Sequence, residues 1–446
     1  MKLQPKKLYR FFLLMSFVCG YQNTNAQVND DKLLTTKEEI NLADSAEMYK
    51  TLLQNTPIET EFMYEPHFAI VGHNKNFYFS TGARLRFTTS FDWGNPVEHP
   101  NNMEVSRLEK ADDGDESLFQ MAAGTSQIYF NIIGFPHTQN QVGLFISLDL
   151  DANGNNSYHL KAGQIYMRYR NLQCGYAKSM YCDRGAQVFC INSARPCASN
   201  DHNSVQINYQ RALTKNLSAC IGIEIPDVSY SQYIPGKAID KQSGEDELVD
   251  AYQKKPDVPL YLNYAFGNNG HVRLSGVLRN ISYHNYISQK TEYHLGWGLK
   301  LSGNYNTGAF EFYGTAQGGK GIANYITGNH GKGLDLVPDG DYETNGKLSA
   351  TGTFGCIGAV KYNITPKVFT TGVVSTLRNY TSSFQNKKCV SFDNRMRSAL
   401  TVNANIVWRL SDIFSTGAEY VFAQKKNENG EKVQNNRIYG LLMMNF

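Results

Sequence analysis

Beyond residue 26 the sequence has no apolar run long enough to cross a bilayer as a helix. That excludes a helical membrane protein. Proline is scarce, 13 in 446 residues, so little interrupts extended segments. No CxxC spacing occurs, which argues against a zinc site. No nucleophile elbow and no HExxH stands out, which leaves the common hydrolase motifs without residues to carry them. Fixed-period repeats and low-complexity tracts are also lacking. The formal charge is only +3, and it becomes −1 once the basic leader described below is removed, so the chain-wide balance gives no reason to expect nucleic-acid binding. No cofactor motif is present either.

The leader comes first. Lys2, Lys6, Lys7 and Arg10 precede a short apolar run, Phe11–Val18, and small residues stand at Thr24–Ala26. This is the layout of a secretory signal peptide over 1–26, with cleavage expected before Gln27. Cys19 does not make it a lipoprotein, because Phe17 and Val18 are bulky where small residues are needed. Export implies an oxidising compartment. Cys174, Cys182, Cys190, Cys197, Cys220, Cys356 and Cys389 survive cleavage, an odd number, so at least one is free or pairs between chains. Cys182, Cys190 and Cys197 share one stretch and offer a loop disulfide.

Residues 27–76 read as a helical segment followed by a linker. Thr36 and Glu39 make a capping box, and Ile40, Ala43, Ala46, Tyr49 and Leu53 recur at helical spacing. The spacing predicts a helix within 29–55, either a periplasmic coiled-coil element or a leader segment. Thr56-Pro57 ends it, and 57–76 reads as extended.

From residue 77 to 446 the pattern changes to period two. Phe77, Phe79, Thr81, Ala83, Leu85, Phe87, Thr89, Phe91 and Trp93 share one face of a strand. Tyr78, Ser80, Arg84, Arg86, Thr88, Ser90 and Asp92 share the other. Soluble strands usually run about five or six residues. A strand this long, with aromatics at both ends, suits a tilted membrane strand between interfacial girdles. At the other end of the chain, Ile438, Gly440, Leu442, Met444 and Phe446 fall on one face and Tyr439 and Asn445 on the other, although Leu441 and Met443 blur the alternation. An open sheet edge cannot be tolerated in hydrocarbon, so the last strand is expected to pair with the first. A soluble sandwich is the competing reading of this terminal strand alone. Fifteen further strands are expected after the first, among them 157–169, 171–181, 291–305, 366–381, 395–410 and 433–446. Short turns alternate with long polar loops at 184–202, 227–257, 319–345 and 382–394, and Asn95–Glu116 is a polar loop as well. The mean hydropathy of −0.43 and the 28 Tyr and 24 Phe are what such a barrel requires. The expected fold is all-β, a closed antiparallel transmembrane barrel of about sixteen strands.

Charges sort onto the less apolar face of these strands. A charge facing lipid at mid-bilayer costs about 2–4 kcal/mol. Arg84, Arg86, Arg168, Arg170, Arg273, Arg279, Lys300, Arg397 and Arg409 are therefore expected to line a lumen. Glu224, Glu311 and Glu419 are their candidate acidic partners.

The stretch Tyr158–Tyr209 resembles the DcaP-like porins. Ile165-Tyr-Met-Arg-Tyr-Arg-Asn171 followed by Leu172-Gln-Cys-Gly-Tyr-Ala-Lys-Ser-Met-Tyr-Cys-Asp183 is similar to that family's adjacent strands, roughly A-Y-V-S-Y-G-N and F-L-A-G-Q-T-W-S-T-F-M-D. Tyr166, Tyr169, Asn171, Gly175, Ser179 and Asp183 match in register. Val205–Tyr209 resembles the family's P-Q-I-R-Y strand, and Gly72–Trp93 its first strand. The sequence departs at Tyr176-Ala177-Lys178, where the family has Gln-Thr-Trp. It departs again at Gly163, where the family has a basic residue, with Lys161 nearby. The resemblance implies a sixteen-stranded homotrimeric outer-membrane porin whose basic constriction favours organic anions such as dicarboxylates. A phosphate-selective porin is the alternative in the same class, but it calls for a denser ladder of strand Lys and Arg. A barrel enzyme and a receptor or adhesin are the readings from other classes.

Overall fold

The computed structural model describes residues 68–72, 76–111, 116–152, 158–225, 229–231, 248–250, 255–267, 269–285, 287–338, 345–381 and 395–446. The signal segment 1–26 and the helical stretch 29–55 lie outside the described residues. No helix among the described residues is long and apolar enough to cross a membrane.

The chain is built from strands β1 (Phe68–Val71), β2 (Phe77–Gly94), β3 (Glu116–Ala122), β4 (Ser126–Gly134), β5 (Val142–Ala152), β6 (Tyr158–Tyr169), β7 (Leu172–Lys178), β8 (Asn203–Ala212) and β9 (Leu217–Ile225). Then come β10 (Ser229–Ser231), β11 (Leu248–Asp250), β12 (Val258–Ala265), β13 (Gly270–Asn285), β14 (Lys290–Asn306), β15 (Phe310–Lys320), β16 (Leu336–Pro338) and β17 (Leu348–Ala350). The last five are β18 (Gly352–Thr365), β19 (Val368–Tyr380), β20 (Met396–Arg409), β21 (Phe414–Asn427) and β22 (Lys432–Asn445). All neighbours pair antiparallel. β10–β11 and β16–β17 are separate small hairpins, and the other eighteen form one sheet.

That sheet closes on itself. Arg84↔Asn445 through Gly94↔Asn435 join β2 to β22, so the first long strand and the last are neighbours, as expected. β3 and β4 act as one wall strand. Both lie on the same edge of β2, at Thr88↔Ala122 and Arg84↔Gln127, with a break at Ala123–Thr125 between them. Counted this way, and with β1 set aside, the wall has sixteen strands. The linker reading of 57–76 needs correction at its end. Phe68–Val71 is a strand, paired from Phe68↔Thr81 to Val71↔Tyr78 on the β2 edge that β22 leaves uncovered.

The two faces of the wall divide as the alternation requires. Phe77, Leu85, Phe87, Phe91 and Trp93 of β2 are exposed outward, while Tyr78, Ser80, Arg86, Thr88, Ser90 and Asp92 are buried inward. Leu274, Leu278, Leu295, Trp297, Leu299, Ile406, Trp408, Leu442 and Phe446 continue the outward apolar belt. In water such a belt would be a large liability; against hydrocarbon it costs nothing.

The interior is not an open pipe. The segments 95–111, 179–202 and 321–338 fold inward and fill part of the barrel. Val97, Met103, Val105, Leu108, Tyr181, Phe189, Ile191, Ile322, Tyr325 and Ile326 from these segments form one apolar cluster. Their partners in it include the inward residues Phe369, Leu377, Val407, Val421, Tyr439, Leu441 and Met443 of β19–β22. This explains the blurred alternation in the last strand: Leu441 and Met443 face a packed loop and not water. Each such side chain, fully buried, contributes about 1.5–3 kcal/mol. The reading of 95–116, 184–202 and 319–345 as polar loops holds for their connectivity but not for their surroundings, because many of their described residues are buried inside the barrel.

The loop disulfide is also corrected. No disulfide joins Cys182, Cys190 and Cys197, and all three are buried. The Cys182 Sγ donates to the Asn200 carbonyl at 2.9 Å, and the Cys197 Sγ lies 3.4 Å from the Ser375 hydroxyl. Burial pushes both thiols up, against thiolate formation. Cys389 lies outside the described residues.

Candidate functional site: a constricted channel

Loop backbone placed inside a barrel has polar groups that must be satisfied there. The wall supplies them from its inward charged residues. The Glu419 carboxylate accepts the Ile191 N–H, the Asn192 N–H at 3.3 Å and Asn403 Nδ2 at 2.8 Å. Glu224 accepts Ser179 Oγ at 2.8 Å, Ser204 Oγ at 3.0 Å and Tyr325 Oη at 2.7 Å, which ties two of the inward segments to one carboxylate. Arg279 pairs with Asp257 at 2.8 Å and Asp335 at 3.0 Å, all fully buried. Asp183 accepts His271 Nε2 at 2.9 Å and Ser302 Oγ at 2.6 Å, with Arg273 at 3.6 Å. Burial pushes the Asp183 carboxyl up, but the His271 hydrogen bond and the Arg273 charge outweigh it and hold it well below the usual carboxylate range.

What the segments leave open is a cavity of about 820 Å³ against β2 and β4–β7. Arg84, Arg86, Lys161 and Lys178 line it from the wall, and Arg107, Arg184, Arg195 and Lys332 from the inward segments. The acidic residues on its surface are Glu104, Asp149, Asp151 and Asp201. Asp201 lies between Lys178 at 2.7 Å and Arg195 at 3.2 Å. Burial raises its carboxyl, and the two cations more than offset that, leaving it at about 2. Asp151 pairs with Lys161 at 2.7 Å. Burial and the neighbouring His330 lower the His202 imidazole to about 3, so it is neutral at pH 7. The eight basic residues thus outnumber the four acidic ones, and three of the acids, Glu104, Asp151 and Asp201, are already paired. Gly163 fits this surface: a Cβ there would meet both Asp149 carboxylate oxygens at 2.6 Å, so Asp149 takes the space that a side chain at 163 would enter.

The nine expected lumen residues separate into groups. Arg84 and Arg86 lie on the cavity wall. Arg84 Nε donates to Asn445 Oδ1 at 3.1 Å, and Arg86 donates to the Ile191 carbonyl of the constricting segment. Arg279 and Lys300 point inward but are buried under the segments and away from the large cavity; Lys300 Nζ donates to the Tyr181 carbonyl and to Asn200 Oδ1 at 3.1 Å. Arg273 stacks 4.3 Å from the Tyr261 ring and reaches Asp183. Arg168 bonds Gln173 at 2.7 Å and lies over Tyr166, close to the short turn. Arg409 lies over Phe369 at the end of β20. Arg397 is the extra residue of a bulge between Met396↔Asn427 and Ser398↔Lys426. Arg170 departs most from expectation: it sits in the β6–β7 turn at φ 53°, exposed, bonded to the Gln139 carbonyl. The strand ends at Tyr169, so its alternation does not reach residue 170. The three glutamates are likewise not opposite a ring of cations. Glu224 and Glu419 hold loop backbone and hydroxyls, and Glu311 pairs with Lys361 at 3.0 Å.

The cavity residues that were missed lie mostly on the inward segments: Arg107, Arg184, Arg195, Asp201 and Lys332. Two signals in the sequence mark these segments: Val188-Phe-Cys-Ile191 and the run Met180-Tyr-Cys182 are too apolar for a loop in water.

No protein-family model matches the sequence, and no curated protein matches it. Solved structures do. The crystal structure of the outer membrane channel DcaP of Acinetobacter baumannii is similar with a TM-score of 0.69 at 13% identity, over 84% of this chain and 99% of that one. Salmonella typhi OmpF, in complex with daunomycin, is similar at 0.52 and 8% identity, over 85% of this chain and 100% of that one. An anion-selective porin from Comamonas acidovorans is similar at 0.50 and 9% identity, over 83% of this chain and 100% of that one. The strand order, the closure of β2 on β22 and the likeness over the whole barrel agree with the resemblance at Tyr158–Tyr209: the chain has the fold of the DcaP-like porins.

Proposed function

We propose that this chain is a passive outer-membrane diffusion porin that prefers small organic anions, dicarboxylates among them. One observation carries the reading: the cavity of about 820 Å³ has eight basic and four acidic residues on its surface. A water-filled passage walled by low dielectric focuses such an excess and concentrates counter-charged solute. The mixed signs also suit transport, since a solute must be released as well as attracted. The leader 1–26 supplies export, the outward apolar belt supplies the membrane contact, and a homotrimer is the assembly that the resemblance implies. The residues act by charge and size, with no chemical step.

Planar-bilayer recording of the purified protein in asymmetric salt tests this. The reversal potential should show anion preference at low salt, and Arg84→Gln should reduce it. The preference should shrink at 1 M salt, where the Debye length is roughly 3 Å. Arg86→Gln is the less clean variant, because Arg86 also holds the Ile191 carbonyl. An impermeable bilayer would remove the porin reading, and cation preference in the native protein would remove the anion reading.

A further inference from the structure

The outer surface of the barrel carries a second charged feature that the channel does not use. Arg378 on β19 faces outward beside Ser398 on β20; Ser398 faces Lys426 on β21, and Lys426 faces Lys432 on β22. Three cations thus lie at one level on four successive strands, with about 5 Å between strands. Arg378 and Lys432 are exposed and Lys426 is half-buried. None of the three has an ion-pair partner among the described residues. Arg378 lies 5.1 Å from the Tyr380 ring. The nearby acids are engaged: Glu431 is 3.9 Å from Lys110, and Glu428 accepts the Thr381 hydroxyl.

Their height is informative. Arg378 is ten residues along β19 from Val368, which is paired with the outward Trp408. At about 3.3 Å per residue and a tilt near 40°, that is roughly 25 Å up the wall, the height of a barrel's apolar band. Below the cations, Trp93 stacks on Tyr420 with ring centroids 6.2 Å apart, and Tyr420 Oη donates to Asn436 Oδ1 at 2.8 Å. The row therefore stands at the upper edge of the band, at the long-loop end, above an aromatic girdle. A lone Arg or Lys there would be satisfied by snorkelling. Three in register, on neighbouring strands, present a row of donors spaced to meet more than one phosphoryl oxygen.

We propose that Arg378, Lys426 and Lys432 form a binding site for the phosphate-bearing headgroup of an outer-leaflet glycolipid, whose acyl chains lie along the apolar wall below. The site rests on the reading of the chain as an outer-membrane barrel, but not on what the channel conducts.

The test is native mass spectrometry of the detergent-solubilised full-length protein with bis-phosphorylated lipid A, its dephosphorylated form and inorganic phosphate as probes. The native protein should retain the bis-phosphorylated lipid and not the dephosphorylated one, and inorganic phosphate alone should not bind. R378Q/K426Q/K432Q should lower the apparent lipid affinity on the order of 100-fold, as loss of three near-surface cations predicts. K215Q/K320Q/K367Q, which removes three exposed lysines elsewhere, should leave it unchanged. Equal retention by the first variant, equal binding of the dephosphorylated lipid, or capture of free phosphate would overturn the proposal. So would a change of oligomeric state in that variant without loss of lipid, which would assign the row to a second copy of the chain. Bilayer conductance of both variants is the separate check on the porin reading and should match the native protein.

Discussion

Arg437 and Asp92 meet at the seam where the barrel closes. They are register partners on β22 and β2, and both are fully buried. Two guanidinium nitrogens reach the two carboxylate oxygens, Nη2 at 2.5 Å. The same guanidinium holds the His99 carbonyl at 2.7 Å and the Val97 carbonyl at 2.6 Å, and it bonds Tyr439 Oη at 3.0 Å. One residue thus joins the first strand, the last strand and an inward loop.

Asp92→Ala should therefore be costly. It leaves a buried guanidinium without its counter-charge, which costs about 3–5 kcal/mol. Heat-modifiable gel migration would show it as unfolding at lower temperature than the native barrel. The double variant Asp92→Leu/Arg437→Met should recover part of the loss, because no charge is left unpaired. A single variant as stable as the native protein would show that the pair does not hold the seam.

Glu419→Gln should loosen the constriction and leave the wall intact. The amide offers one acceptor oxygen where the carboxylate offers two, and two loop N–H groups depend on it. Single-channel conductance should rise, with noisier open levels, while thermal stability falls by about 1–3 kcal/mol. Conductance identical to the native channel would place the narrow point elsewhere.

Acid should weaken the loop contact at Asp201. Its carboxyl is held at about 2, below the ordinary value of 3.8, so the folded state gains from its charge. That gain is fully present above about pH 4 and is lost as pH falls through 2. Since the side chain is partly exposed, the effect is at most about 2 kcal/mol. Asp201→Asn should differ in stability from the native protein between pH 5 and 7, and the difference should shrink toward pH 2. A difference that stays constant over that range would mean that the Lys178 and Arg195 contacts do not depend on the charge.

The two parts of the N-terminal region should behave differently on deletion. Removing 29–55 takes away none of the described strands and should leave barrel folding intact. Removing 68–71 strips the β2 edge at Tyr78–Thr81 and should lower the yield of heat-modifiable barrel. Equal behaviour of the two deletions, on the same gel assay, would deny β1 a role.

The wall was legible in the sequence because lipid on one side and a closed interior on the other impose a strict period of two. β2, β8, β9 and β13 end close to where that period ends. The inward segments were not legible by the same rule. Their backbone follows no period, and the carboxylates that hold them, Glu224 and Glu419, look in sequence like any inward strand charge. Arg84 and Arg279 share the same inward parity, yet one lines water and the other is sealed under Tyr325. Only the path of 321–338 separates them. Leu441 and Met443 did record the presence of inward segments, as apolar residues on a face that should have been polar.

The end of the chain sets a constraint on how the molecule is made. Phe446 exchanges backbone hydrogen bonds with Ala83, at 2.5 and 2.9 Å, and Phe68 pairs with Thr81 next along the same edge. Residues 83 and 446 are the most widely separated backbone partners in the described sheet, so this contact closes its longest loop. Contacts of such sequence separation form slowly, because loop-closure entropy is lost before they return any energy. Until then β2 waits with an open edge, and the short strand from Phe68 folds back to cover the part of it that the last strand never reaches.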